Sequence, residues 1–304
     1  MPSRRKHSIA GLCALLSLLR LSRAASQSVL TDATSNAAAY VCQHPPYEVH
    51  LVSSSPLVVY LAGFVTPDEC AHLTEAAHDT FAQSAVADRE KADGRVVLDK
   101  VRTSQSTNVP RDHIVRCIEE RALRFQGFLD GPSSLTTSSA SSSSSRLEPL
   151  QLVKYGRGEH YHYHTDWFTD PVHATAAQGG NRVSSFFAYV HVSNGTTHGG
   201  PGPAALRGGG TNFPLVNAPP PTDQWCAYTD CDEPWERGVT FRPVQGNAVY
   251  WDNLLPRTEG QDTRTGDPRA LHAGLPVVAG EKIGMNIWTR EGTVPAAIRG
   301  EEDR

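Results

Sequence analysis

The sequence predicts a mainly β fold with packed helices, an α+β chain built around a β-sandwich or jelly roll. Two observations carry this. After Leu150 the chain breaks into short apolar, β-branched runs separated by glycine and proline, the texture of an antiparallel sandwich. Before that point, two longer stretches place apolar residues at helical spacing, as in helices packed on a sheet. With 304 residues, the chain can bury a large core as one domain or two smaller ones.

The N-terminus carries an address. Arg4-Arg5-Lys6-His7 is basic, Ile9 to Leu21 is mostly apolar, and the small residues Ala24, Ala25 and Ser26 follow. This is the layout of a secretory signal peptide, expected over 1–25 with cleavage near Ala24 or Ala25. Arg20 interrupts a run already short for a bilayer span; an uncleaved anchor is the alternative. The mature chain is then expected in the endoplasmic reticulum lumen or secreted, with no stable membrane span. Beyond the signal stand Cys42, Cys70, Cys117, Cys226 and Cys231, an odd set that leaves at least one without a partner in the chain. Cys226 and Cys231 suit a local disulfide in an oxidising compartment. Asn194-Gly195-Thr196 is a glycosylation sequon. The net charge of −4 offers no basic footprint, so nucleic acid is not an expected partner.

Residues 26–55 show no periodicity and read as an extended lead-in. Pro56 to Phe64 (PLVVYLAGF) reads as a buried strand. Thr66-Pro67-Asp68-Glu69 opens a helix, with a threonine cap, a proline in the first turn and a capping box. Leu73, Ala76, Ala77 and Phe81 form its apolar face. Val96 to Thr103 reads as a strand, and a second helix after Pro110 carries Ile114, Ile118 and Phe125. Together 56–130 make a helical support for the main domain. Residues 131–146 are Ser-rich and of low complexity, a disordered insert. The core spans 147–292, with strands expected at Leu150 to Tyr155, Arg182 to Ser193, Gly209 to Pro214, Thr240 to Phe241 with Ala248 to Trp251, Leu271 to Val278, and Lys282 to Thr289. The Gly-rich stretch from Asn194 to Gly210 reads as a loop, and 293–304 as a tail.

Chemistry concentrates in Tyr155 to Asp166, YGRGEHYHYHTD. His164 and Asp166 are two residues apart, and on a strand alternate side chains share a face. An imidazole and a carboxylate are two parts of the facial triad that holds Fe(II). His272 is the best candidate for the second imidazole. Lys282, ten residues on, offers a cation for the far carboxylate of a dicarboxylic co-substrate that chelates the metal. Taken singly, these residues also suit a solvated triplet, a core histidine and a surface lysine. His160, His162 and Trp167 are expected at the mouth of such a site.

The ordered motifs resemble the prolyl 4-hydroxylases among the 2-oxoglutarate- and Fe(II)-dependent dioxygenases. Tyr155-x-x-Gly158-x-x-Tyr161-x-x-His164-x-Asp166 is similar to that family's approach to its first iron ligands. Arg182 to Tyr189, Gly209-Gly210-Thr211-Asn212-Phe213-Pro214, and Gln245 to Trp251 resemble its next strands. The His272-to-Lys282 spacing, with Asn286 and Trp288 beyond, resembles its last ones. The resemblance implies a double-stranded β-helix over 147–292 on an N-terminal helical support. It implies Fe(II) on His164, Asp166 and His272, and 2-oxoglutarate held by Lys282, Tyr155 and Thr211. The implied reaction uses O2 to hydroxylate a prolyl residue of a protein or peptide, with proline-rich ones among the implied substrates, as 2-oxoglutarate is decarboxylated to succinate. Ascorbate is the implied reductant. Two alternatives remain open at this point: the same chemistry on a small molecule or another side chain, and a catalytically dead binding module.

Overall fold

The computed structural model describes residues 41–84, 102–129, 146–197, 200–201, 203–232, 234, 237–257 and 264–300. The signal segment 1–25, nearly all of the strand expected at Val96 to Thr103, and all but the last residue of the Ser-rich insert lie outside them.

In chain order the N-terminal part contributes β1 (Glu48–Ser54), β2 (Leu57–Ala62), helix α1 (Pro67–Ala76), β3 (Ala82–Gln83), β4 (Gln105–Asn108) and helix α2 (His113–Phe125). Next come β5 (Gln151–Tyr155), β6 (Tyr161–His164), β7 (Arg182–Val192), β8 (Thr196–Thr197), β9 (Gly200–Pro201), β10 (Arg207–Gly208) and β11 (Thr211–Phe213). A short helix α3 (Asp223–Cys226) precedes β12 (Val239–Phe241), β13 (Ala248–Asp252), β14 (His272–Gly274), β15 (Val277–Ala279), β16 (Lys282–Arg290) and helix α4 (Ala296–Arg299). An eight-stranded sheet runs β1-β2-β13-β7-β16-β5-β4-β3, and a four-stranded sheet runs β12-β11-β14-β6. All their pairings are antiparallel.

Strand β7 shows why two layers form on the large sheet. Phe186, Ala188 and Val190 point to one face, where they pack with α1 and α2 residues such as Leu73, Ile118 and Leu123. Phe187 and Tyr189 point to the other, where they meet Phe213 and Phe241 of the small sheet. This period-two alternation puts the helices outside and the sandwich inside. The fold is a double-stranded β-helix with helices on its outer face.

The helices begin where the sequence says. Thr66 accepts from the Glu69 N–H at 3.2 Å, and Glu69 accepts from the Thr66 N–H at 2.9 Å. Asp112 caps α2 by accepting from Ile114 and Val115. Glu69 does a second job. It takes a two-pronged bond from Arg121, each contact 2.7 Å, with both side chains 1% exposed, and so ties α1 to α2. A disulfide between Cys42 and Cys117 fastens the lead-in to α2, and Cys226 pairs with Cys231 as expected. Cys70 is free and buried, and burial pushes its thiol up to about 12. Among the described residues, no helix is long and apolar enough to cross a membrane.

Four local readings change. The lead-in is not featureless, because Glu48–Ser54 is an edge strand on β2. Its pattern is inverted: Val49 and Leu51 face solvent, while His50 lies against Tyr60 and Tyr228, so hydrophobic alternation gives no usable signal. Strand β4 starts at Gln105, beyond the stretch expected to end at Thr103. Its all-polar QSTN is held by pairing with β5. Leu271 to Val278 splits at Leu275-Pro276 into β14 and β15. The stretch from Asn194 to Gly210 carries paired strands, β8 with β9 and β10 with β15.

Candidate active site

Strands β6 and β14 of the small sheet pair so that His164 and His272 stand directly opposite. Cross-strand neighbours approach closely, and the two rings are 4.3 Å apart. Asp166 lies past the end of β6, so the bend after His164, not the strand pleat, returns its carboxylate. Its Oδ1 is 3.6 Å from His164 Nε2 and 3.8 Å from His272 Nε2. One ligand atom from each of the three residues falls within 4.8 Å of the others.

Each donor is oriented from behind. His164 Nδ1 lies 2.8 Å from the His162 carbonyl, and His272 Nδ1 lies 3.0 Å from that of Ala270. A carbonyl can only accept, so each Nδ1 carries the proton and each Nε2 presents its lone pair. Burial, then the neighbouring His272, hold the His164 imidazolium far below its usual range, so the ring is neutral at physiological pH. Burial raises Asp166, but His272, His164, Arg182 and the Ser185 hydrogen bond together lower it, so the carboxyl lies below its usual range. Asp166 Oδ2 accepts from Ser185 Oγ at 2.7 Å and from Trp288 Nε1 at 3.0 Å, which leaves Oδ1 facing the histidines. Asn253 Nδ2 donates to the same Ser185 oxygen. Two imidazoles with Nδ1 engaged from behind and one carboxylate with its second oxygen already engaged fit the donor set for Fe(II).

Behind the triad, Lys282 is fully buried. Its Cα pairs with that of Tyr155 across β16 and β5, and its Nζ donates to the Gly209 carbonyl. Burial pushes its ammonium down to about 7. The Nζ also stands 4.7 Å from the Tyr155 ring centre and 5.4 Å from that of Phe187, contacts that favour a cation. Tyr155, Phe187 and Thr211 line the cavity with the triad. Thr211 Oγ1 is 2.8 Å from Tyr189 Oη. Burial raises the Tyr155 phenol above its usual range, so it remains a hydrogen-bond donor.

Toward solvent the cavity opens into a trough of about 340 Å³, whose wall includes Tyr161, Trp167, Phe168, Arg182 and Trp288. Trp167 is at the mouth as expected; His160 and His162 are not among the side chains that line it. Sequence reading gave no role to Glu148, which holds this wall. Glu148 accepts from Arg182 Nε at 2.8 Å and Nη2 at 2.7 Å, and from Arg290 Nε at 2.6 Å. Arg182 in turn lies 3.7 Å from the Trp288 ring centre. A lone glutamate between the Ser-rich insert and β5 gives no signal before the strands are paired. The Glu148→Gln variant leaves two buried guanidiniums short of a counter-charge. It is expected to cost about 3–5 kcal/mol, read as a lowered thermal melting temperature by circular dichroism.

Known proteins give this geometry its context. The family model of the 2OG-Fe(II) oxygenase superfamily matches residues 150–290. The chain is 31% identical over 245 residues to prolyl 4-hydroxylase 2 of Arabidopsis thaliana, covering 80% of this chain and 70% of that protein. It is 30% identical, with the same coverage, to that plant's probable prolyl 4-hydroxylase 4. Among solved structures, the viral collagen prolyl hydroxylase of Paramecium bursaria Chlorella virus-1 aligns with a TM-score of 0.45 and 21% identity, over 83% of this chain and 99% of that one. By sequence similarity across most of its length, the chain belongs to the prolyl 4-hydroxylase-like 2-oxoglutarate- and Fe(II)-dependent oxygenases and is a 2-oxoglutarate-dependent dioxygenase.

Proposed function

We propose that this dioxygenase hydroxylates a prolyl residue of a protein or peptide in the secretory pathway, with ascorbate as reductant. The observation that carries the reading is the open trough beside the His164–Asp166–His272 triad, walled by Tyr161, Trp167, Phe168 and Trp288. Proline-rich segments are pre-formed in an extended helix and dock in aromatic-lined grooves of this kind. The similarity to proteins named prolyl 4-hydroxylases supports it. The signal-like N-terminus and the two disulfides favour an oxidising compartment.

In this reading His164 and His272 would hold Fe(II) through their Nε2 atoms, and Asp166 through its Oδ1. Bound iron, with O2 and 2-oxoglutarate, supplies the oxidising chemistry. Lys282, which donates to the Gly209 carbonyl, would hold the far carboxylate of 2-oxoglutarate, with Tyr155 and Thr211 beside it. Ser185 and Trp288 hold Asp166 so that Oδ1 stays turned to the metal. Removing one such support typically costs about 10- to 100-fold in metal affinity. The Ser185→Ala variant should therefore bind Fe(II) that much more weakly, as measured by titrating the metal anaerobically.

The function is tested by incubating the protein with Fe(II), ascorbate, 2-oxoglutarate and a panel of proline-rich peptides. Succinate formation stimulated by a peptide that gains one oxygen on proline is the expected result. Succinate released without any hydroxyproline would move the substrate to another molecule. No succinate at all, with iron bound, would mark a module that has lost its activity.

A further inference from the structure

Where the lead-in meets α2, metal-ligating side chains gather that the oxygenase reading does not use. Cys42 and His44 are two residues apart in the lead-in, and Cys117 and Glu120 are three apart on α2, a spacing that shares a helix face. One donor atom from each of Cys42, His44 and Cys117 lies within 4.8 Å of the others. His44 Nε2 is 3.5 Å from Cys42 Sγ and 3.4 Å from Glu120 Oε1. The same carboxylate oxygen accepts from Arg124 Nη2 at 2.7 Å, which holds it over the cluster. His44 Nδ1 is buried and, among the described residues, has no hydrogen-bond partner. The ring's place is thus accounted for by the sulfur and the carboxylate, not by a bond from behind.

Contacts other than the Cys42–Cys117 disulfide hold these groups together. Arg121 Nη2 donates at 2.8 Å to the carbonyl of Gln43, the residue between Cys42 and His44, and Arg121 is itself gripped by Glu69. Pro45 and Pro46 follow His44; proline fixes its own backbone angle and restricts the residue before it. Tyr47 then packs edge-on against Phe64, with ring centres 5.4 Å apart. Opening the disulfide therefore leaves the lead-in pinned to α2. The donor spacing also suits a metal. In a tetrahedral zinc site, sulfur and nitrogen ligands lie about 3.5 Å apart and nitrogen and oxygen ligands about 3.3 Å apart, close to the two distances at His44 Nε2. The two sulfurs would need to part to about 3.8 Å, a separation that side-chain rotation opens.

We propose that the reduced form of this pair is a structural Zn(II) site, ligated by the sulfurs of Cys42 and Cys117, His44 Nε2 and Glu120 Oε1. Thiolate, imidazole and carboxylate are the ligands Zn(II) takes, and structural sites close all four positions with protein groups. The set differs from the His164–Asp166–His272 centre, which offers no sulfur. An external dithiol supplies two electrons and two protons and is itself oxidised to a disulfide, leaving Cys42 and Cys117 as thiols. Zn(II) then displaces both thiol protons to solvent. His44 and Glu120 side chains are each 23% exposed, so reductant and ion reach the cluster from the surface. The bound ion does what the disulfide does, tying the lead-in to α2, and the clamp holds in either redox state.

The test titrates the full chain with Co(II), whose thiolate complexes show an intense near-ultraviolet band that imidazole and carboxylate ligands do not give. Any Co(II) held by the His164–Asp166–His272 centre is therefore silent in this readout. The chain is reduced by a phosphine without denaturant, its thiols are counted, and its fold is followed by circular dichroism. The expected result is a thiolate band that saturates at one Co(II) per chain in the reduced protein, is absent from the oxidised one, and is bleached by Zn(II). Zn(II) should also raise the melting temperature of the reduced chain more than that of the oxidised chain. Cys42→Ser, which keeps Cys226 and Cys231, should lose the band. His44→Ala should weaken binding by more than about 100-fold, and Glu120→Gln by at least about tenfold. A folded, fully reduced chain without the band overturns the proposal. So does a band that persists in Cys42→Ser, which assigns it to other cysteines, or one equally tight in His44→Ala and Glu120→Gln. Reduction that unfolds the chain even with Zn(II) present overturns it as well.

Discussion

Replacing His272 with alanine should abolish coupled turnover of 2-oxoglutarate and prevent stable Fe(II) binding. Removing a mere support of a metal ligand costs about 10- to 100-fold in affinity; removing a ligand must cost more. A fall in turnover of at least about a thousandfold is expected, about 4 kcal/mol of lost transition-state stabilisation. The variant also empties space between Phe213 and Trp251, whose ring centres lie 5.3 and 4.6 Å from that of His272. Thermal melting is therefore followed in parallel, because a collapsed fold would mimic a lost ligand. Asp166→Ala serves as a second reading of the same centre. Near-normal turnover in a folded His272→Ala protein would sink the assignment of the triad.

The Lys282→Met variant should separate stability from function. Methionine keeps much of the side-chain volume and removes the charge. Without the ammonium the site loses its partner for the co-substrate's far carboxylate, a charge-assisted bond in a buried setting. The KM for 2-oxoglutarate should rise by at least about a hundredfold, about 2.7 kcal/mol, while kcat at saturation changes less. Stability should move the other way. Burial brings the lysine down to about 7 from its ordinary 10.5, so between those values the unfolded chain binds more protons than the folded one. Stability of the parent then rises with pH across that window. The variant's advantage should be largest below pH 7, on the order of 5 kcal/mol, and fade toward pH 10.5. Denaturant titrations at pH 6, 8 and 10 read this directly. The same proton couples to binding: above pH 7 the parent should take up a proton as it binds 2-oxoglutarate, and its affinity should fall. An unchanged KM in Lys282→Met would remove the lysine from the co-substrate site.

Much of this was legible in the order of residues. The capping box at Thr66 and Glu69, the strand over Leu57–Ala62 and the long strand from Arg182 are local signals, set by backbone chemistry and by burial on both faces. So were the candidates at the centre, because His-x-Asp, a later histidine and a lysine ten residues on stand among ordered motifs that resemble a known family; singly, each also suits a surface or a core. Local pattern failed where the partner strand does the work. Glu48–Ser54 turns its valine and leucine outward, and Gln105–Asn108 has no apolar residue at all. Both are strands because their backbone donors and acceptors find partners, and buried backbone groups must be paired wherever the side chains point.

Two things were decided only by tertiary structure. The register of β6 on β14 sets His272 opposite His164, although more than a hundred residues separate them. The bend after β6, not strand alternation, returns Asp166 to them, with Ser185 and Trp288 choosing which of its oxygens faces inward. Sequence determines which chemical groups the chain owns. Distances of a few ångströms between residues far apart in the chain come from strand pairing and packing, and these decide which groups act together.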